Sequence, residues 1–401
     1  MKIIIRNCNV AELDIPLKYA TKLYNEFAIR HPNAFYLRTR QRGMQNWDGK
    51  IKYITKTGQF KIGLLPSVYK RCIELGIKPI IVDMRQPLPK VSKVVTQIGK
   101  YKLRPEQEKA VKAILSNKLG ETPFQIGVLD YTVNAGKTLI MSALYLSYKK
   151  QLKTLLITND SDWLNQARDE FKQYLPGEDI TFVQGKVLNW SNFTIGMVQS
   201  ISRNMKYYQN ELAKIDMVLI DEADQGGSKQ YQNVITRLFN TRVRIGLSGT
   251  IYMSKLAKDK VKNMNLRCFF GDVIAEFKLK DSIKKGYSTK TIVKTVEGKP
   301  WFGNWESDCM SYNEIYDDSI THKKIAWTMA LDRLKWNLNQ GRYPALVVCK
   351  HIAHCENLCK FFKKKLDNKY NIACVHVNTH TKLIQQIMKD FREGKIDILV
   401  S

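Results

Sequence analysis

Between about residues 93 and 280, short unbroken apolar runs alternate with segments whose apolar residues recur every three to four positions. The runs are Ile126 to Leu129, Thr154 to Thr158, Phe193 to Val198, Met217 to Ile220 and Val243 to Leu247. Apolar runs this short, without polar alternation, predict strands buried on both faces, as in a parallel sheet covered by helices. The periodic segments predict helices from Leu103-Arg-Pro-Glu-Gln107 through Leu115, then Leu139 to Tyr148, Trp163 to Tyr174 and Tyr231 to Phe239. This succession predicts an α/β fold with a doubly wound parallel sheet, which binds ligands at the carboxyl ends of its strands.

The alternation restarts after Leu279 to Gly286. Helices are predicted at His322 to Asn339, Ile352 to Leu366 and Lys382 to Glu393, with strands at Ala345 to Cys349, Ile372 to Val377 and Ile396 to Val400. The last strand is not followed by its helix, so this second unit is expected to be incomplete at its C-terminus. Residues 1–92 follow another rule. A strand at Ile3 to Ile5, a helix at Leu17 to Ile29, a hairpin of Asn46 to Ile54 with Phe60 to Gly63, a helix at Ser67 to Leu75 and a strand at Pro79 to Val82 predict a small α+β domain. A proline-containing linker, Arg85 to Val91, follows it. The expected organisation is 1–92, 93–280 and 281–401.

Composition narrows the partner. The 401 residues are 44% hydrophobic, enough for a sizeable core, yet 65 Lys and Arg against 37 Asp and Glu leave a net charge of +28. That excess points to a polyanion, with nucleic acid ahead of a membrane surface. The cationic loop residues Arg38, Arg40, Arg42, Lys50 and Lys52 surround Trp47. They form either a DNA-contacting surface or a solvated basic face with Trp47 in the core. No apolar stretch approaches the length of a membrane span, and Met1 to Arg6 is too short for a signal sequence, so a cytoplasmic location is expected. The eight cysteines are scattered through a large chain, which favours reduced thiols.

The candidate chemistry begins at the end of the first apolar run. Ile126 to Leu129 leads through a short loop into Gly136-Lys137-Thr138 and a helix. Backbone N–H groups at such a helix start cradle phosphates, the lysine adds charge near the outer phosphates, and the threonine hydroxyl can ligate Mg²⁺. The full G-x-x-x-x-G-K-[ST] pattern needs glycine at 131, where this chain has Tyr131. Farther on, Met217-Val-Leu-Ile-Asp-Glu-Ala-Asp224 delivers adjacent carboxylates from an apolar strand. Asp221 can hold Mg²⁺ through water, and Glu222 can polarise a water that attacks a γ-phosphate.

Together these segments resemble superfamily 2 helicases, whose phosphate loop commonly lacks the first glycine. The resemblance implies RecA-like doubly wound sheets of the P-loop NTPase type, ATP and Mg²⁺ as cofactors, and ATP hydrolysis coupled to movement on nucleic acid. Leu103 to Gln107 resembles the Q motif, with Gln107 reading adenine beside Arg104. Thr132, Asn134, Ala135, Gly136, Lys137 and Thr138 would hold the nucleotide, and Thr138 and Asp221 the metal. Leu156 to Gln166 and Gly196 to Ser200 occupy the places of motifs Ia and Ib, which implies nucleic-acid contacts at Asn159 and Gln199. Ser248-Gly-Thr250 resembles motif III, which would couple hydrolysis to strand movement through Asp224, Ser248 and Thr250. Leu346 to His351 resembles motif IV, with Lys350 and His351 on nucleic acid.

A literal Asp-Glu-Ala-Asp suggests a DEAD-box RNA helicase, but the Pro-Thr-Arg-Glu-Leu-Ala and Ser-Ala-Thr motifs of that group are absent. Asn46 to Ile51, Thr132 to Lys137, Gly246 to Gly249 and Lys350 to His354 instead resemble the phage recombination and fork-remodelling branch. That narrower resemblance implies a DNA-binding N-terminal domain, with Trp47, Lys50 and Lys52 on DNA. Branched or duplex DNA is then the expected partner, with RNA in RNA–DNA hybrids a second one. The competing expectation is an ATP-binding or annealing module without productive unwinding, because family motifs V and VI would follow Ser401. His351, His354, Cys355 and Cys359 have a spacing that suggests zinc, but the family's Lys-His-x-x-His accounts for two of them. Trp301 and Trp305 suit either base stacking or a loop packed on its own aromatics.

Overall fold

The structure, a computed structural model, describes residues 1–40, 43–91, 93–185, 187–252, 257–290, 293, 312–316, 320–321, 324–367 and 369–401. Arg42, Trp301, Trp305 and Cys309 lie outside the described residues. The chain falls into two compact units, Met1–Lys290 and Thr291–Ser401. No described helix is long and apolar enough to cross a membrane.

The first unit is built on an eight-stranded sheet. Its order is Val187–Leu188, Ile180–Gln184, Phe193–Met197, Thr154–Thr158, Met217–Asp221, Val243–Ser248, Ile126–Tyr131 and Val273–Phe277. All neighbours are parallel except the outermost pair, Val187–Leu188 with Ile180–Gln184. The apolar runs sort by side-chain parity into two cores, as a sheet covered on both faces requires. Val128, Leu155, Ile157, Val218 and Ile220 face one core, and Leu129, Leu156, Leu219, Ile245 and Leu247 the other. The edge strand Val273–Phe277 and the helix Ala257–Phe270 escaped the sequence reading. The strand carries Glu276 between Ala275 and Phe277, and the helix has no sharp apolar stripe.

The N-terminal residues form a second, four-stranded sheet in the order Gln59–Lys61, Val10–Asp14, Lys2–Ile5 and Ile80–Asp83. The expected hairpin is not formed as such. Lys50–Lys52 pairs antiparallel with Ala28–Arg30, whereas Gln59–Lys61 pairs with Val10–Asp14, and only an Ile54–Phe60 bridge joins the two arms. Alternation identifies a strand's faces but not its partner. Ile3, Ile5, Leu13, Phe60 and Leu65 from this segment share one continuous core with Ile126, Val218, Leu266 and Phe270 of the large sheet's layer. The join is close: a Cβ on Gly63 would lie 2.1 Å from the carbonyl oxygen of Arg267 in helix Ala257–Phe270. Residues 278–290 also belong to the first unit, held by ion pairs of Lys285 with Glu106 (2.8 Å) and of Lys278 with Asp130, and by the Arg104 guanidinium over the Tyr287 ring.

The second unit has a parallel three-stranded sheet with Ile398–Val400 between Ala345–Val347 and Ile372–Cys374. Leu331, Leu334 and Leu338 of helix Lys324–Asn339 and Leu358 and Phe362 of helix Ile352–Lys365 build its core. Helix Thr381–Arg392 has no buried residue.

Candidate active site

The phosphate-loop segment leaves the sheet at Tyr131, the last residue of its strand. Tyr131 is fully buried, and its hydroxyl donates to the Glu106 carbonyl at 2.8 Å. A residue still in extended strand backbone has no need of glycine, which explains why tyrosine is tolerated where the longer pattern has Gly. The turn comes later. Asn134 (φ 61°) and Gly136 (φ 73°) take left-handed backbone before helix Lys137–Ser147 begins. Gly136 is required twice over, since a Cβ there would also sit 2.3 Å from Gln107 Nε2.

Gln107 and Arg104 brace this loop from the neighbouring helix. The Gln107 Oε1 accepts from the Arg104 backbone N–H at 2.9 Å, capping helix Pro105–Leu115, and Nε2 donates to the Ala135 carbonyl at 2.9 Å. Arg104 Nη2 donates to the Asn134 carbonyl at 3.2 Å. Gln107 is only 3% exposed. One of its two amide N–H groups is therefore spent on holding the loop, a role that the sequence reading did not assign to it. Thr132 and Thr138, at the two ends of the loop, are buried.

The two carboxylates meet the lysine at the sheet's carboxyl edge. Lys137 Nζ lies 3.6 Å from Asp221 Oδ1 and 3.8 Å from Glu222 Oε1. Asp221 ends strand Met217–Asp221, and its Oδ1 is buried without a hydrogen-bond partner. Burial raises its pKa, opposed chiefly by the Lys137 charge. Glu222 stands in left-handed backbone (φ 52°, ψ 50°). Burial raises its pKa as well, Lys137 opposes this, and the charges of Asp221 and Asp224 add to it. Non-glycine residues held in this region cost about 1–3 kcal/mol and cluster at functional sites.

This geometry fits Mg²⁺. A hard divalent ion that keeps several waters takes one or two carboxylates together with substrate phosphates. Among the described residues no group of three or more His, Cys, Asp or Glu is arranged to hold a metal by itself. The buried Asp221 Oδ1, facing Lys137 and without a hydrogen-bond partner, is the donor such a shared site needs, and Thr138 follows Lys137 in the sequence.

Beyond the carboxylates, hydrogen bonds tie successive strand ends together. Ser248 Oγ donates to Asp224 Oδ1 at 2.9 Å and accepts from the Thr250 backbone N–H at 3.1 Å. Asn159 Nδ2 donates to Gln225 Oε1 at 2.5 Å, and Gln199 Nε2 donates to the Asn159 carbonyl at 3.3 Å. Asn159, Gln199 and Gln225 follow three different strands, Thr154–Thr158, Phe193–Met197 and Met217–Asp221. Gln225 was missed in the sequence because it follows the acidic tetrapeptide and belongs to no recognised motif.

The remaining candidates belong to other elements. Trp47 is half-buried, donates from Nε1 to the Lys50 carbonyl at 3.0 Å and meets the His31 ring edge-on at 5.9 Å. Lys52 is paired with Asp48 at 3.1 Å and sits over the Tyr24 ring, whereas Lys50 is exposed. In the second unit Lys350 Nζ donates to Asn313 Oδ1 at 2.5 Å, and His351 stacks on Tyr316 with ring centroids 5.1 Å apart.

The family model described as type III restriction enzyme, res subunit, matches residues 100–253, and that of the helicase conserved C-terminal domain matches residues 328–401. A protein of Enterobacteria phage T4, the ATP-dependent DNA helicase uvsW, is 22% identical over 379 residues, which cover 88% of this chain and 71% of that protein. A crystal structure of the UvsW helicase from bacteriophage T4 matches with a TM-score of 0.55 at 21% identity, over 69% of this chain and 100% of that one. A second structure of T4 UvsW matches with a TM-score of 0.53 at 20% identity, over 100% of this chain and 79% of that one. With the type III restriction enzyme res-subunit model on the phosphate-loop sheet and the helicase C-terminal model on the C-terminal sheet, the chain carries the domain pair of superfamily 2 helicases.

Proposed function

We propose that this ATP-dependent helicase is a DNA motor acting on branched DNA, namely forks, recombination intermediates and R-loops, in recombination, repair and replication. The observation that carries the ATP-driven part is Lys137 Nζ within 4 Å of both Asp221 and Glu222 at the end of the phosphate-loop strand's sheet. The DNA part is supported by the relative's printed name and by the +28 net charge.

In this reading the backbone of Thr132 to Thr138 holds the phosphates, with Gln107 and Arg104 fixing the loop's shape. Lys137 turns from its carboxylate partners to the outer phosphates when nucleotide enters. Asp221 and Thr138 would hold Mg²⁺, which would neutralise charge on the transferring phosphoryl group. Glu222, with its pKa raised by burial, orients the attacking water and takes its proton. Asp224 passes the change to Ser248 and Thr250, and Asn159 and Gln199 touch the nucleic-acid backbone beside it. Trp47, Lys50 and Lys52 add a sequence-independent grip, as do Lys350 and His351 of the second unit.

The test is steady-state ATP hydrolysis with single-stranded, duplex, forked and R-loop substrates. Stimulation greatest with forked or R-loop DNA supports the reading. Stimulation by RNA alone overturns the DNA assignment and leaves the ATP site standing.

A further inference from the structure

We infer that helix Ala34–Arg40 is a base-stacking platform that holds unpaired nucleotides at the entrance to the motor. The inference rests on the proposed function only in taking nucleic acid as the partner.

The helix is built inside out. Of its seven residues, Ala34 alone is buried, whereas Phe35 is 80% exposed and Tyr36 54%. A Phe ring left in water forgoes the stabilisation that burial would return, so two adjacent exposed aromatics on a helix need a partner to account for them. The surrounding charge says which. Arg38 and Arg40 lie on the same helix, both exposed, with the Arg40 guanidinium over the Tyr36 ring at 5.1 Å. Arg30 just before the helix and Lys50 on the strand paired with it are exposed cations too. Rings flanked by arginines match the way single strands are held, with each base stacking on a π-face and the phosphates paired to cations. A protein partner seated on an apolar patch does not call for that density of one charge sign.

The platform also continues toward the motor. Pro32, just before the helix, lines a groove of about 530 Å³ together with Asp224, Gln225, Ser228, Lys262 and Asn265. Gln225 is the residue hydrogen-bonded to Asn159, so the groove opens on the network joining the strand ends. A strand stacked on Phe35 and Tyr36 is therefore led to the edge where Asn159 and Gln199 lie.

The test uses the full chain and oligonucleotides carrying 2-aminopurine, titrated at several salt concentrations. The variant Phe35→Ala/Tyr36→Ala removes only exposed rings and leaves Ala34 in place. It is expected to weaken binding to unpaired DNA by about tenfold or more, to abolish 2-aminopurine quenching, and to leave the salt slope unchanged. Arg38→Ala/Arg40→Ala is expected to lower the salt slope instead. Phe35→Trp should restore quenching. Wild-type quenching that persists in the double aromatic variant overturns the platform, as does self-association of the wild type that the variant removes while DNA affinity stays constant. A wild-type chain that binds no nucleic acid at any salt overturns the proposed function as well, which separates the two failures.

Discussion

Arg244, fully buried in the middle of the large sheet, donates from Nη2 to the Cys8 carbonyl at 2.7 Å and to Asn9 Oδ1 at 2.8 Å. Its Nη1 donates to the Phe269 carbonyl at 3.2 Å. Burial lowers its pKa to about 10. One side chain thus holds the N-terminal sheet, a central strand and helix Ala257–Phe270 in a single core. Arg244→Ala is expected to destabilise the first unit by about 3 kcal/mol or more, because it opens a cavity and strands three buried acceptors. Asn9→Ala should cost about 1 kcal/mol, since the two carbonyl partners remain. Urea unfolding of both variants reads the difference, and equal midpoints for Arg244→Ala and wild type contradict this role.

The loop's brace makes its own prediction. Gly136→Ala forces a left-handed alanine against Gln107 and is expected to cost about 1–2 kcal/mol of stability along with most nucleotide affinity. Gln107→Glu keeps the helix cap at Arg104 but points a carboxylate at the Ala135 carbonyl. Nucleotide affinity should fall about tenfold, and the melting temperature should fall too, because the carboxylate is buried against a carbonyl. Calorimetric titration paired with thermal unfolding reads both variants.

The strand ends were legible in the sequence for a physical reason. Val218 to Ile220 and Leu155 to Ile157 are buried on both faces, so their composition alone marks them, and Gly136-Lys137-Thr138 stands where such a strand meets a helix. What depends on distant partners was not legible. Arg244 reads as a polar residue in a strand until Cys8 and Asn9 are placed against it, and Gln107 reads as a free amide until Ala135 closes on it. The arms around residues 50 and 60 show period-two patterning, yet their partners, Ala28–Arg30 and Val10–Asp14, are set by tertiary packing. Glu222's left-handed backbone leaves no mark in composition at all.

Ser248→Ala removes the hydrogen bond to Asp224 without touching the phosphate loop. ATP affinity should stay within about twofold of wild type, whereas stimulation of hydrolysis by nucleic acid should be largely lost. Comparing basal and stimulated turnover measures this, and full stimulation in the variant removes Ser248 from the coupling route.

The acidic pair also predicts a pH effect. Burial raises the Asp221 and Glu222 pKa above unfolded values near 4, so the fold favours their protonated forms. Their contribution to stability is fully present below the unfolded pKa and is lost as pH rises through the folded values. Glu222→Gln, which cannot ionise, should therefore melt slightly higher than wild type at neutral pH, by about 1 °C for a half-buried group. The difference should vanish below about pH 4. A variant that melts lower at neutral pH contradicts this sign.

The most direct measurement of the ATP site is calorimetric titration of wild type, Lys137→Ala and Glu222→Gln with ATP, with and without Mg²⁺, followed by turnover on the same samples. Lys137→Ala should lose nearly all affinity, because it removes the charge that sits 3.6 Å from Asp221 and that we propose turns to the phosphates. Glu222→Gln should bind Mg²⁺-ATP as wild type does while hydrolysing it at least about a hundredfold more slowly. Equal ATP affinity in wild type and Lys137→Ala, or unchanged hydrolysis in Glu222→Gln, would contradict the assignment of this sheet edge as the site of ATP chemistry.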